Sequence, residues 1–261
     1  MALRKDEAIV LFKRAYGESD RIIRLFTFTS GKVTAIAKGA GKSQKRFSNT
    51  LEPFNHIRVE YFEKQEKGMV RIENADIVET NNGIEASLKR ACTACFFTEF
   101  ADRLTKEREK NIDLFQALKE ILVRVKQREF AYADILHYEL RMLEVLGYMP
   151  NFRNCVYCGK KVSDEINSRF SNERGGVLCP ACARSLPHRT YSEGTIPSLV
   201  SVGSTICGSI HGVRDSGMPP EAGKPSDQKR FELEARQLME GFISFHLAVE
   251  FKSYRILKSL L

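Results

Sequence analysis

The stretch RIIRLFTFTSGKVTAIAKG, residues 21–39, decides the fold. Its first half, 21–29, is β-branched and aromatic with no helix breaker. Its second half alternates Val33, Ala35 and Ala37 on one face with Thr34 and Ile36 on the other. Period-two alternation on either side of Ser30-Gly31 is a hairpin pattern, with glycine supplying the positive φ of the turn. Upstream, EAIVLFKRAY (7–16) is another strand run, set off by the turn residues Gly17-Glu18-Ser19-Asp20. Downstream, NHIRVEYFE (55–63) and MVRIENADIVE (69–79) are joined by the linker Lys64-Gln65-Glu66-Lys67-Gly68. Five short strands within residues 1–80, without a long helix, predict a small closed barrel. The five-stranded barrel that commonly holds oligonucleotides is the OB-fold.

Charge sharpens this expectation. The 261 residues carry 41 Lys and Arg against 33 Asp and Glu, a net +8, and the surplus sits at the two ends of the chain. Residues 81–150 are balanced at 11 of each sign, whereas residues 1–80 hold 15 basic against 11 acidic. Between Arg21 and Leu51 seven cations (Arg21, Arg24, Lys32, Lys38, Lys42, Lys45, Arg46) occur with no acid. Clustered Lys and Arg in such a run are the footprint of a phosphate-contacting surface, because they release counterions from a nucleic-acid backbone. Phe26, Phe28 and Phe54 read as barrel core. Phe47, between Arg46 and Ser48 in a polar loop, reads as the aromatic free to stack on a base. Gly41-Lys42-Ser43 resembles the end of a phosphate-binding loop, but Ile36 stands where its first glycine is required, so no ATP site is expected.

From residue 84 the period becomes helical. Ile84, Leu88, Ala91, Cys95 and Leu104 with Phe96, Phe97 and Phe100 form one stripe. Leu114, Leu118, Ile121, Leu122 and Val125 form a second, and Ile135, Leu136, Leu140, Leu143 and Leu146 a third, stopped by Gly147 and Pro150. A fourth runs through Phe231, Ala235, Leu238, Phe242, Phe245 and Val249. Residues 192–227, rich in Gly, Ser and Pro, read as loop, mobile around 212–228. Between the third and fourth stripes stand Cys155-x2-Cys158 and Cys179-x2-Cys182, separated by 20 residues. Two such turns supply the four-thiolate tetrahedron of structural zinc, a closed shell with no position for an activated water. Cys92-x2-Cys95, inside an apolar helical stripe, reads as core packing. The expected architecture is therefore α+β: a barrel over 1–80 and a helical domain over 81–261, with a zinc-binding insert at 151–190.

The ordered set of motifs resembles the bacterial recombination mediator family RecO. It comprises Gly17-Glu18-Ser19-Asp20, Leu25-Phe26-Thr27, Gly31, Ala37-Lys38-Gly39-Ala40 and Leu51-Glu52-Pro53-Phe54. It continues with Leu146-Gly147-Tyr148-Met149-Pro150, Phe170-Ser171, Gly175-Gly176, the four cysteines, His246 and Lys258-Ser259-Leu260. The resemblance implies binding of single- and double-stranded DNA and annealing of complementary strands. It also implies, with RecR, loading of RecA onto SSB-coated strands. Carried onto this chain, Lys38, Lys42, Lys45 and Arg46 are the first DNA candidates, with Arg14, Arg21 and Arg24 next. No enzymatic step is implied, and the five histidines are scattered without a carboxylate cluster. The alternatives are a zinc-ribbon protein of the transcription or translation machinery and a nucleic-acid-processing enzyme. With no apolar segment of membrane-spanning length and no secretory signal, the expected location is the cytoplasm, associated with the nucleoid.

Overall fold

The computed structural model describes residues 2–42, 47–63, 68–162, 168–209 and 225–261. Five strands occur in the expected order, the first starting five residues earlier than the expected 7–16: β1 Ala2–Tyr16, β2 Asp20–Thr27, β3 Gly31–Ala37, β4 His56–Glu63 and β5 Val70–Glu79. They close into a barrel in the order β1-β2-β3-β5-β4, the OB-fold arrangement. Neighbours are antiparallel except β3 and β5, which pair in parallel through Ala35 and Ile36. Val10, Ile23, Leu25, Val33, Ala35, Ile57, Val59, Tyr61 and Ile72 are among the residues filling the interior.

β1 serves two neighbours. Residues 2–9 pair with β4 and residues 8–16 with β2, with a register shift between Val10 and Phe12. The shift reverses the alternation. Ala8 and Val10 point into the core, but Phe12, 44% exposed, does not. A bulge inserts one residue and turns the rest of the strand to the opposite face.

Beyond the barrel the chain is helical. α1 (Leu88–Leu104) starts at Ser87, whose hydroxyl accepts from the Arg90 N–H. α2 (Ile112–Gln127) starts at Asn111, whose side chain accepts from the Leu114 N–H. Such caps satisfy the orphan donors of a first turn. Both helices belong to one compact unit with the barrel and the chain end, Met1–Phe130 plus Phe251–Leu261. That unit thus includes elements from beyond residue 80. Phe115 of α2 is buried against Phe26 (6.4 Å between ring centroids), Phe28 (5.4 Å) and His56 (5.8 Å). Phe26 and Phe28 therefore lie under a helix on the outer surface of the barrel, and Phe54 is only half-buried. The expectation of barrel core for these three is corrected: Phe26 belongs to the outward set of β2, and Phe28 and Phe54 lie in turns beyond the strand ends. In α1 the expected Phe96, Phe97 and Phe100 are buried, together with Ala94, whereas Leu88, 65% exposed, and Cys95, exposed, depart from the expected stripe.

The second unit, Ala131–Glu250, holds α3 (Tyr132–Val145), a small sheet of β6 (Arg169–Ser171), β7 (Gly176–Val177) and β8 (Arg189–Thr190), and the short α4 (Pro180–Ala183). It is completed by α5 (Thr195–Ser209) and α6 (Pro225–Leu247); α7 (Lys252–Leu257) belongs to the first unit. α5 corrects the loop reading of 192–227. Its residues TIPSLVSVGSTICGS include no charged side chain, so the contrast between its apolar face and its Ser and Thr residues is weak. Ile196 and Leu199 are fully buried. Glu234 of α6 anchors the N-terminus of α5 by accepting from Ser192 N–H (2.8 Å), Ser192 Oγ (2.6 Å) and Thr195 Oγ1 (2.7 Å). Of the stretch 212–228, residues 212–224 lie outside the described residues and 225–228 open α6.

Packing and burial give two tests of this fold. Gly31 has φ +66°, and a Cβ there would sit 1.9 Å from the Glu109 carbonyl oxygen. Gly31→Ala is expected to destabilise by at least about 2 kcal/mol in denaturant titration. Gly17→Ala, with φ +59° but open space around it, is expected to lose about 1 kcal/mol. Glu139 on α3 is 4% exposed; burial and the neighbouring Glu240 carboxylate raise its carboxyl from the ordinary 4.5 to about 8. The folded state then holds a proton that the unfolded state releases, so this contribution to stability is present below pH 4.5 and lost as pH rises towards 8. Thermal melts should show Glu139→Gln removing that decline.

Candidate nucleic-acid interface and four-cysteine centre

The cations of the acid-free run divide into two groups. Arg24 pairs with Asp102 of α1 at 2.5 Å. Lys32 reaches the Asp102 carbonyl oxygen and the Thr105 carbonyl oxygen (2.6 Å) at the C-terminal end of the same helix. Cations at a helix C-terminus meet its unsatisfied carbonyls. Thr34 donates to Glu107, and the Arg108 N–H to the Lys32 carbonyl oxygen. These residues attach α1 to the barrel. Arg24, expected on the DNA surface, is held in a structural ion pair.

The remaining described cations of the run, joined by Arg14 of β1, gather at the end of the barrel formed by the β1–β2 turn and the segment after β3. Arg14, Lys38 and Lys42 are exposed, and Arg21 is half-buried, donating to the Asp20 carbonyl oxygen at 2.9 Å. The Gly39 N–H donates to Asp20 Oδ1 (2.8 Å) and the Gly41 N–H to the Ser19 carbonyl oxygen (2.6 Å), fixing the start of the loop on the turn. Lys42 has one acidic neighbour, Glu18, at 3.9 Å. Lys45 and Arg46 lie outside the described residues. Phe47 is a correction: it is 5% exposed and packed in the barrel interior with Leu51. A buried ring cannot stack on a base, and its polar flanks concealed a core anchor.

The cysteine centre is built locally. Asn151 brackets β7: its N–H donates to the Gly175 carbonyl oxygen and its carbonyl accepts from the Val177 N–H, while the Val156 N–H also donates to Val177. A side chain at Gly176 would lie 2.3 Å from Val156, so glycine permits this approach. The first knuckle closes through the Gly159 N–H donating to the Cys155 carbonyl oxygen, with Gly159 at φ +75°. Cys179 caps α4, with Pro180 at its first position. Phe170 ties the insert to α6 through Phe242.

The four Sγ atoms of Cys155, Cys158, Cys179 and Cys182 lie within 4.8 Å of one another. A tetrahedron with metal–sulfur bonds of about 2.3 Å has edges of about 3.8 Å, and Cys158 Sγ and Cys179 Sγ are 3.8 Å apart. The donor set fits a metal ion. Burial opposes ionisation of Cys155, but backbone hydrogen bonding from Cys179, Cys158 and Tyr157 outweighs it and brings the thiol to about 6. Cys182 is pushed up to about 12 by its hydrogen bond to Cys179 and by burial.

Two family models match: recombination protein O N terminal over residues 1–81 and recombination protein O C terminal over 85–199. The chain is 33% identical to the DNA repair protein RecO of Myxococcus xanthus over 248 residues, covering 95% of this chain and 94% of the relative. It belongs to the recombination protein O family. The DNA repair protein RecO of Thermoanaerobacter sp. is 30% identical over 100% of this chain and 99% of its own length. That of Caldanaerobacter subterraneus subsp. tengcongensis is 36% identical over 70% and 72%. The two family models together span the barrel and the cysteine insert of this chain. Among the described residues no helix is long and apolar enough to cross a membrane.

Metal analysis of purified protein is expected to find about one thiolate-bound ion per chain, and Cys155→Ser with Cys182→Ser to lose it. Retention of a full equivalent by the double variant would place the ion elsewhere.

Proposed function

We propose that this recombination protein O member is a DNA-binding mediator of recombinational repair. It anneals complementary single strands and, with RecR, helps load RecA onto SSB-coated DNA. The observation that carries the reading is the barrel end where Arg14, Lys38 and Lys42 stand exposed, with Lys45 and Arg46 next in the sequence. Neutralising phosphates there lets two polyanions approach, and annealing requires no bond to be made or broken. Work of this kind places the protein in the cytoplasm, at the nucleoid.

The chemistry favours binding over catalysis. The ion we assign to the four cysteines is zinc, whose structural sites take a tetrahedron of four thiolates from two such turns. Cys155, Cys158, Cys179 and Cys182 would fill its shell and tie the knuckles together, giving it a structural role. In the groove of about 900 Å³ between the barrel, α1 and α7, the carboxylates have partners. Glu52 pairs with Lys13 at 2.5 Å, Asp102 with Arg24, and Glu99 accepts from the N–H groups of Lys252 and Ser253. Buried His56 faces Glu7 at 3.0 Å, with its pKa lowered by burial and by Lys119.

Two measurements test the reading. Complementary single strands coated with SSB are expected to anneal faster with this protein and without ATP; no acceleration overturns the mediator reading, and new strand ends would reveal a nuclease. Replacing Lys42, Lys45 and Arg46 together by Ala is expected to weaken DNA binding at every sequence. It should also make the slope of log K against log salt shallower by about 2, three contacts on a single strand. An unchanged slope moves the phosphate surface away from this loop.

A further inference from the structure

The bulge in β1 exposes a ladder that the pattern of the strand would have buried. Before it, Ala8 and Val10 face the barrel interior, and Ile9 faces outward yet is fully buried. After it, Phe12, Arg14 and Tyr16 lie opposite Arg24, Ile22 and Asp20 of β2, outside the core set of Ile23 and Leu25. Directly opposed residues of an antiparallel pair share a face, so the three side chains stand on the outer surface. Phe12 is 44% exposed, Tyr16 is 50% exposed, and Arg14 between them is exposed.

One half of this outer face is occupied. Arg24 and Thr34, in the row of Phe12, are engaged by Asp102 and by Glu107. The other half carries Arg14 over Ile22 and Ile36, with Lys38 immediately after β3. Phe12, exposed although the Arg24 guanidinium lies 6.0 Å from its ring centroid, and Tyr16 flank Arg14 beside further cations, which combines base stacking with phosphate attraction. Bulges of this kind occur where a strand must re-aim a side chain for use.

We infer that Phe12, Arg14 and Tyr16 form the stacking surface for single-stranded nucleic acid, with bases on the two rings and backbone phosphate at Arg14 and Lys38. The inference rests on the DNA-binding reading above and assigns the stacking role to residues other than Phe47. Rings four residues apart on a strand are about 13 Å apart. A duplex keeps its bases paired and stacked at about 3.4 Å and offers no base face to either ring. The surface therefore discriminates single strands from duplex, whereas the neighbouring cations serve both.

The chain contains no Trp, so Phe12→Trp installs a single reporter at the ladder. Its emission is expected to be quenched by oligo(dT) and not by a duplex of equal length. In anisotropy titrations, Phe12→Ala with Tyr16→Ala, verified as folded by circular dichroism, should lower oligo(dT) affinity by at least about tenfold while leaving duplex affinity within about twofold. Wild-type protein that binds both DNAs, with a double variant that binds both unchanged or loses both equally, overturns the ladder and leaves the DNA reading intact. Wild-type protein that binds neither overturns both.

Discussion

One strand has to satisfy two neighbours. β1 pairs with β4 through its first half and with β2 through its second, and a five-stranded sheet can close only if a strand bends from one partner to the other. Curvature of that kind needs an irregularity, and here it is the register shift at Leu11. Barrel closure thereby determines which residues of β1 are buried. Core filling by Ala8 and Val10 and surface display of Phe12 and Tyr16 are two consequences of one inserted residue.

The same barrel shows that a charge in the sequence is not a charge available to a ligand. Lys32 and Arg24 belong to the acid-free run, yet both are bound to the C-terminal part of α1. Gly31 admits the backbone of the segment after α1 at a distance no side chain would allow. Phe115 of α2 closes over Phe26 and Phe28 on the adjoining surface. Helical packing thus seals part of the barrel exterior and leaves a smaller region, at Arg14, Lys38 and Lys42, exposed.

The cysteine centre was legible because its information is local. Each Cys-x-x-Cys turn brings its own sulfurs together, and only the pairing of the two knuckles needed the chain to return, which it does through the bonds of Asn151 with Gly175 and Val177. α5 was not legible, since a helix without charged residues has little contrast between its faces, and its anchor, Glu234, lies on α6. In α1 the helix and its phenylalanine face were legible but the edges of that face were not: Phe96, Phe97 and Phe100 are buried as expected, and packing added Ala94 and left Leu88 and Cys95 exposed.

Strand alternation, turn glycines and thiol spacing are short-range properties, so the sequence by itself determined the five strands, most of the helices and the four-thiol cluster. Which cations are free, and which aromatic rings are buried, depends on groups far apart in the chain. Asp102 claims Arg24, the barrel interior takes Phe47, and the bulge turns Phe12 outward. Tertiary structure alone decided these, because burial and ion pairing depend on long-range contacts that no local pattern encodes.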